Sequence, residues 1–110
     1  VRIPVELSLQ DRAYPGELVD LSLTGAFVET HAALAPGLRA ELRVRIPGGE
    51  PLRVGVRVVR HGAGARHVPH PSFDHLSVRV VGLALSFEDL NEPTAGHLRA
   101  LIALIAEADL

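Results

Sequence analysis

The sequence predicts an all-β domain of five or six antiparallel strands followed by a single α-helix. Three observations carry this expectation. Residues 1–9, 38–46 and 52–59 alternate apolar and polar side chains with period two. Glycine, proline and small polar residues punctuate the chain at short intervals, and helical spacing of apolar residues begins only at about position 97. Short strands in succession, then one helix, suit an antiparallel barrel or a sandwich.

In residues 1–9, Val1, Ile3, Val5, Leu7 and Leu9 share one face, with Arg2, Glu6 and Ser8 on the other. Pro4 falls on the outward face, where it suits an edge strand or a strand's first turn. Residues 11–16, with Pro15-Gly16, read as a turn. Residues 17–30 are apolar but hold Asp20, Ser22, Thr24 and Gly25 in their middle, which predicts strands over 17–21 and 25–30 around a tight polar bend. Residues 31–37 form a loop. Leu38, Ala40, Leu42, Val44 and Ile46 then point inward, and residues 47–51 make a hairpin loop before Leu52, Val54, Val56 and Val58 point inward again. By the same parity Arg60 stands with the inward residues at a strand end. Residues 61–75 hold glycines, prolines and four histidines without periodicity and read as a long loop, functional or mobile. Residues 76–87 form a long apolar strand whose pattern shifts near Gly82, as at a bulge or corner. Asn91 offers a helix cap with Pro93 in the first turn, and Leu98, Leu101, Ile102 and Ile105 share one helical face.

At 110 residues, 47% hydrophobic and 22% charged, the chain reads as one domain over 1–110 of ordinary globular composition. Its start at Val1 and its lack of methionine suit a piece of a longer chain. No apolar run reaches the length of a membrane span, and no secretory signal opens the sequence. Cysteine is absent, which excludes disulfides and thiolate chemistry and fits a cytoplasmic protein. A net charge of −2 and four aromatics (Tyr14, Phe27, Phe73, Phe87) do not suit a binder of nucleic-acid polymers, and look too few for a base-stacking platform. Every basic residue is arginine, as a GC-rich genome produces. His61, His67, His70 and His75 invite a zinc reading, but apart from His67-x-x-His70 their spacing lacks the usual tightness. Ser72, Asp74 and His75 are neighbours along a loop, which is not how a nucleophilic triad is assembled. Neither a metal nor a cofactor is expected, nor is enzymatic activity.

Asp20-Leu21-Ser22-Leu23-Thr24-Gly25 fits D-x-S-x-x-G between strand segments, and here the chain resembles the PilZ domain family. Further landmarks fall in the family's order. Arg2-Ile3-Pro4-Val5 resembles the end of its R-x-x-x-R motif, Val56-Arg57-Val58-Val59-Arg60 its later strand, and residues 82–87 its glycine-to-phenylalanine strand before a C-terminal helix. The resemblance spans nearly the whole chain and is specific at the motif level only over 20–25. It implies a six-stranded antiparallel β-barrel with one C-terminal α-helix and a receptor for cyclic-di-GMP. Such a receptor relays the second messenger to a protein partner or a fused output domain. PilZ domains as a family serve motility, exopolysaccharide production and virulence control. Two departures stand out. The first arginine of the paired motif would precede Val1, and the 61–75 connection is longer than usual. The first keeps open an alternative: a degenerate member that binds no nucleotide and acts as an adaptor through protein–protein contact.

The ligand-binding residues that the resemblance implies are Arg2, Asp20, Ser22 and Gly25, with Arg60 added as a rim residue. An arginine fork can grip guanine O6 and N7, and a guanidinium plane can stack on a base. Asp20 can accept from guanine N1–H and N2–H, Ser22 offers a small donor and acceptor, and Gly25 permits close approach. Beside these roles stands a plainer one, in which Asp20 and Ser22 cap a bend through bonds to the backbone.

Overall fold

The computed structural model describes residues 3–46 and 48–108, and of 64–70, 73–78 and 107–108 the backbone alone. Six strands follow in order: β1 (Ile3–Leu9), β2 (Arg12–Leu21), β3 (Gly25–Glu29), β4 (Arg39–Val44), β5 (Leu52–His70) and β6 (Phe73–Glu88). They close into an antiparallel barrel in the order β1-β2-β3-β6-β5-β4, with β4 pairing back onto β1. One helix, α1 (Glu92–Ala108), follows.

Period-two alternation is what fills this barrel. Ile3, Val5 and Leu7 of β1, Leu42 and Val44 of β4, and Leu52, Val54, Val56 and Val58 of β5 are all buried in one core. At one end α1 closes the barrel by adding Leu98 and Leu101 to the same core. Asn91 starts this helix as expected, its Oδ1 accepting the Thr94 N–H at 2.9 Å. At the other end the connection between β3 and β4 crosses the barrel mouth and buries Leu34. It is held there by the His61 Nε2–H, which donates to the Leu34 carbonyl at 2.6 Å, and by Thr30, whose hydroxyl donates to the Pro15 carbonyl at 2.9 Å.

Four expectations need correction. Residues 11–16 are not a turn: Gln10 and Asp11 reverse the chain, with Gln10 at φ 55, and β2 already runs from Arg12. Pro15 is tolerated because its carbonyl, and so the side of the strand where its N–H would point, faces Thr30 beyond the end of the β3 ladder at Glu17–Glu29. Residues 61–75 are not a loop. They continue β5 and β6 as a hairpin that turns at Pro71 and Ser72 and extends the molecule to 44 Å along its long axis. There β5 and β6 pair only with each other, beyond the ladders that join them to β4 and β3. Leu38 precedes β4 and is exposed, not inward. Finally, the pattern of β6 does shift near Gly82, Val80 and Leu83 both being buried, but without a bulge there: the extra residue lies on the partner strand, between Val58 and Arg60 of β5. Pro4 sits in the first turn of a strand that is paired on both sides over 5–8, so β1 is no edge.

Candidate functional site

The wall made by β2, β3, β6 and β5 has an outer face on which one cross-strand row joins Asp20, Phe27, Ala84 and Arg60. Neither charged end of this row would face outward in regular strands. Leu18 and Val58 are buried, and residues two positions further along should share their side. In each strand one extra residue, Val19 in β2 and Val59 in β5, shifts the register, so that Leu18 opposes Val28 but Asp20 opposes Phe27, and Val58 opposes Leu85 but Arg60 opposes Ala84. Val28 and Leu85 point inward, whereas Phe27 and Ala84 point outward. The two bulges therefore swing a carboxylate and a guanidinium out of the core parity onto the same surface. Parity alone assigns Arg60 inward, and the bulge corrects it. Three strand spacings of ~4.8 Å separate the ends of the row, roughly 14 Å.

The bend that follows Asp20 is built from its own side chains. Ser22 N–H donates to the Gly25 carbonyl at 2.9 Å, and Ser22 Oγ accepts the N–H groups of Thr24 and Gly25, each at 3.2 Å. The Ser22 hydroxyl also lies 3.1 Å from Thr24 Oγ1 and 3.3 Å from the Gly25 carbonyl. One donor and two acceptor sites are thus met within the bend, so a ligand would have to take over one of these bonds. The Thr24 carbonyl accepts the Phe87 N–H at 2.9 Å and ties the bend to β6. Asp20 is exposed, and its Oδ1 accepts the adjacent Leu21 N–H at 2.9 Å. Its second oxygen has no partner among the described residues. Gly25 is demanded by strand packing: a Cβ there would strike the Leu85 carbonyl of β6. Arg2 lies outside the described residues; its described neighbour Ile3 pairs with Leu18, two positions from Asp20.

Several other charges of β4, β5 and β6 are paired. Arg57 Nε bonds Glu88 at 2.6 Å, Arg39 approaches the same carboxylate at 3.4 Å, and Arg43 Nε donates to Glu41 at 2.7 Å, which raises the Arg43 pKa above its usual value. Arg60 has no acidic partner among the described residues. Its neighbours along the face are Gly62, Gly82, Ala84 and Ser86, so the surface between Asp20 and Arg60 is low apart from Phe27, with the exposed Val59 beside Arg60.

Phe27 is the member of the row that sequence reasoning passed over. The available signal was its parity: it stands between Ala26 and Val28, both buried, and so must face out. Of the histidines, His61 anchors the mouth of the barrel, and the side chains of His67, His70 and His75 lie outside the described residues. No cluster able to hold a metal occurs among the described residues, and none of their helices is long and apolar enough to cross a membrane. A groove of about 800 Å³ between the β4–β5 hairpin and α1, reaching Arg53 and His97, lies away from this row.

Comparison with known proteins agrees with this architecture. No curated protein matches the sequence. Among solved structures, the chain is similar to the PilZ domain with c-di-GMP of YcgR from Escherichia coli, at 18% identity and a TM-score of 0.70, over 97% of this chain and 84% of that one. That likeness shows a shared fold. The family model for the PilZ domain matches residues 1–104, nearly the whole length. The six-stranded antiparallel barrel with its C-terminal helix, the D-x-S-x-x-G bend between β2 and β3, and this match together establish that the chain belongs to the PilZ domain family.

Proposed function

We propose that this chain is a receptor domain for cyclic-di-GMP, held on the outer face of the β2-β3-β6-β5 wall. The observation that carries the reading is the row itself: two independent bulges turn Asp20 and Arg60 outward onto one low surface. A carboxylate can accept from the N1–H and N2–H of guanine, a donor pair that adenine lacks. A guanidinium fork can donate to guanine O6 and N7. Arg2, the residue before β1, is the second guanidinium that the family's motif would bring to the ligand. Ser22 and Gly25 serve the site by setting the bend that follows Asp20, with the Ser22 hydroxyl available to exchange one local bond for a ligand atom. The role is binding with no chemical step, in the cytoplasm, and its output is a change in the N-terminal arm read by a protein partner or fused domain. Ligand can shift that arm only by its differential affinity for the two arrangements.

The reading is tested by calorimetric titration of cyclic-di-GMP into the protein and its Asp20→Ala variant, with cyclic-di-AMP as the competitor. Binding of the guanine ligand alone is expected, weakened in Asp20→Ala by about 1–3 kcal/mol, the scale of a lost charge-assisted hydrogen bond. No heat from the unsubstituted protein would favour the adaptor that binds no nucleotide. Unchanged affinity in Asp20→Ala would remove this residue from the site.

A further inference from the structure

Phe27 is rooted on β3, yet its Cε2 comes within 3.4 Å of where a Cβ of Gly62 would stand on β5. β6 runs between those two strands. The ring must therefore lie across β6, over outward positions occupied by Gly82 and Ala84, whose small size leaves room for it. Phe27 is half-buried, as that placement requires. The guanidinium of Arg60 reaches the same point from the other side: its Cζ is also 3.4 Å from that Cβ position, and its Nη1 is the nearest atom to it. Gly62 thus keeps open a notch in which an aromatic edge and a guanidinium meet. The arrangement matches what a purine requires, an apolar π-face to lie on and a planar cation beside it.

We infer that Phe27 is the stacking floor for one guanine of the ligand and that Gly62 holds Arg60 in register with that floor. This rests on the receptor reading given above. It assigns affinity to an aromatic surface in addition to the polar contacts of Asp20 and Arg60, and makes Gly62 a positioning residue. The backbone tolerates a methyl group at Gly62, because the atom in the way is the end of a flexible side chain. Gly62→Ala therefore displaces the Arg60 guanidinium and leaves the strand in place.

The test uses the absence of tryptophan from the sequence. Phe27→Trp places an indole at the floor, read as the difference in emission from the unsubstituted protein, while Phe27→Leu preserves apolar cover and removes the π-face. Thermal unfolding confirms that both variants fold. Cyclic-di-GMP is expected to quench the Phe27→Trp emission with the midpoint seen by calorimetry. It should bind Phe27→Leu roughly 5- to 150-fold more weakly, the range for one stacked base. Gly62→Ala should lose affinity in step with Arg60→Ala. Full affinity in Phe27→Leu, or Phe27→Trp emission that saturating ligand leaves unchanged while heat is still evolved, overturns the inference and leaves the receptor reading standing. Absence of heat from the unsubstituted protein overturns both.

Discussion

The wall formed by β3, β6 and β5 presents two faces made under opposite constraints. Inward stand Ala26, Val28, Leu83, Leu85, Val56 and Val58, all buried and all hydrocarbon. Outward, over the same backbone, stand Gly25, Phe27 and Glu29 of β3, Gly82, Ala84 and Ser86 of β6, and Arg57, Arg60 and Gly62 of β5. The inner face is specified by volume, since a closed barrel needs branched side chains that meet across its axis. The outer face is specified by smallness, with single large or charged groups raised above a low floor. On the proposed reading, stability and recognition are separated by the thickness of one sheet, and substitutions on the two sides should behave differently.

The largest effect is expected on the inner side. Leu83 is only 1% exposed, so Leu83→Ala removes packed methyl groups and leaves a cavity, at a cost of about 2–5 kcal/mol in urea unfolding. Its outward neighbours do not change, so the fraction still folded should bind cyclic-di-GMP with nearly unaltered affinity. A cost well under this range would mean that the barrel collapses around the gap. Lost affinity in the folded protein would mean that the two faces are coupled.

Gly82→Ala crosses that division and sharpens it. Gly82 belongs to the outer face, yet a Cβ there would strike the Val28 carbonyl and lie 3.0 Å from Glu29 Cα, both on β3. The obstruction is backbone, which cannot rotate aside as the Arg60 side chain can at Gly62. Displacing β3 should cost about 1–3 kcal/mol and, because β3 carries Phe27, should lower ligand affinity as well. Gly82→Ala is therefore expected to fail in both assays, Leu83→Ala in unfolding alone and Gly62→Ala in binding alone. Wild-type stability in Gly82→Ala would show that β3 and β6 approach less closely than the structure has them.

The same contrast explains what could be read from the residues before any coordinates. The inner face was legible in β1, β4 and the first half of β5, because burial on one side forces period two. The cap at Asn91 and the helical face through Leu98 and Leu101 were legible for a similar reason, since each is a local pattern with a single use. Beyond Arg60 the same strand carries on as a ribbon paired with β6 alone. Its glycines and prolines mimic a loop. Pro15-Gly16 misled in the same way, because only the position of Thr30 and the end of the β3 ladder show that the missing N–H costs nothing there. The site was legible in part. Asp20 and Ser22 stood out through their motif, but the outward swing of Arg60 depends on an extra residue in β5 that counts only against its β6 partner. Phe27 was hidden because its value as a floor comes from Gly82, Ala84 and Gly62, residues on two other strands.

The smallest effect is expected two rows away from Arg60 and Ala84, at Glu88, which pairs with Gly55. Its carboxylate takes the 2.6 Å bond from Arg57 and the 3.4 Å approach of Arg39, whose side chains are 45% and 72% exposed. Ion pairs so open to water are screened and contribute between nothing and about 1 kcal/mol. Glu88→Gln should therefore change unfolding free energy by less than about 1 kcal/mol, and by less still at high salt, where the Debye length shrinks to about 3 Å. It also removes a negative charge from the face proposed to receive an anionic ligand, so any change in association should be a modest acceleration at low salt. A drop in affinity as large as that of Asp20→Ala would place Glu88, and with it the Ser86–Arg57 row, inside the binding surface. A neutral result confines recognition to the row where the two bulges turn Asp20 and Arg60 outward, and distinguishes charge that is aimed from charge that is merely present.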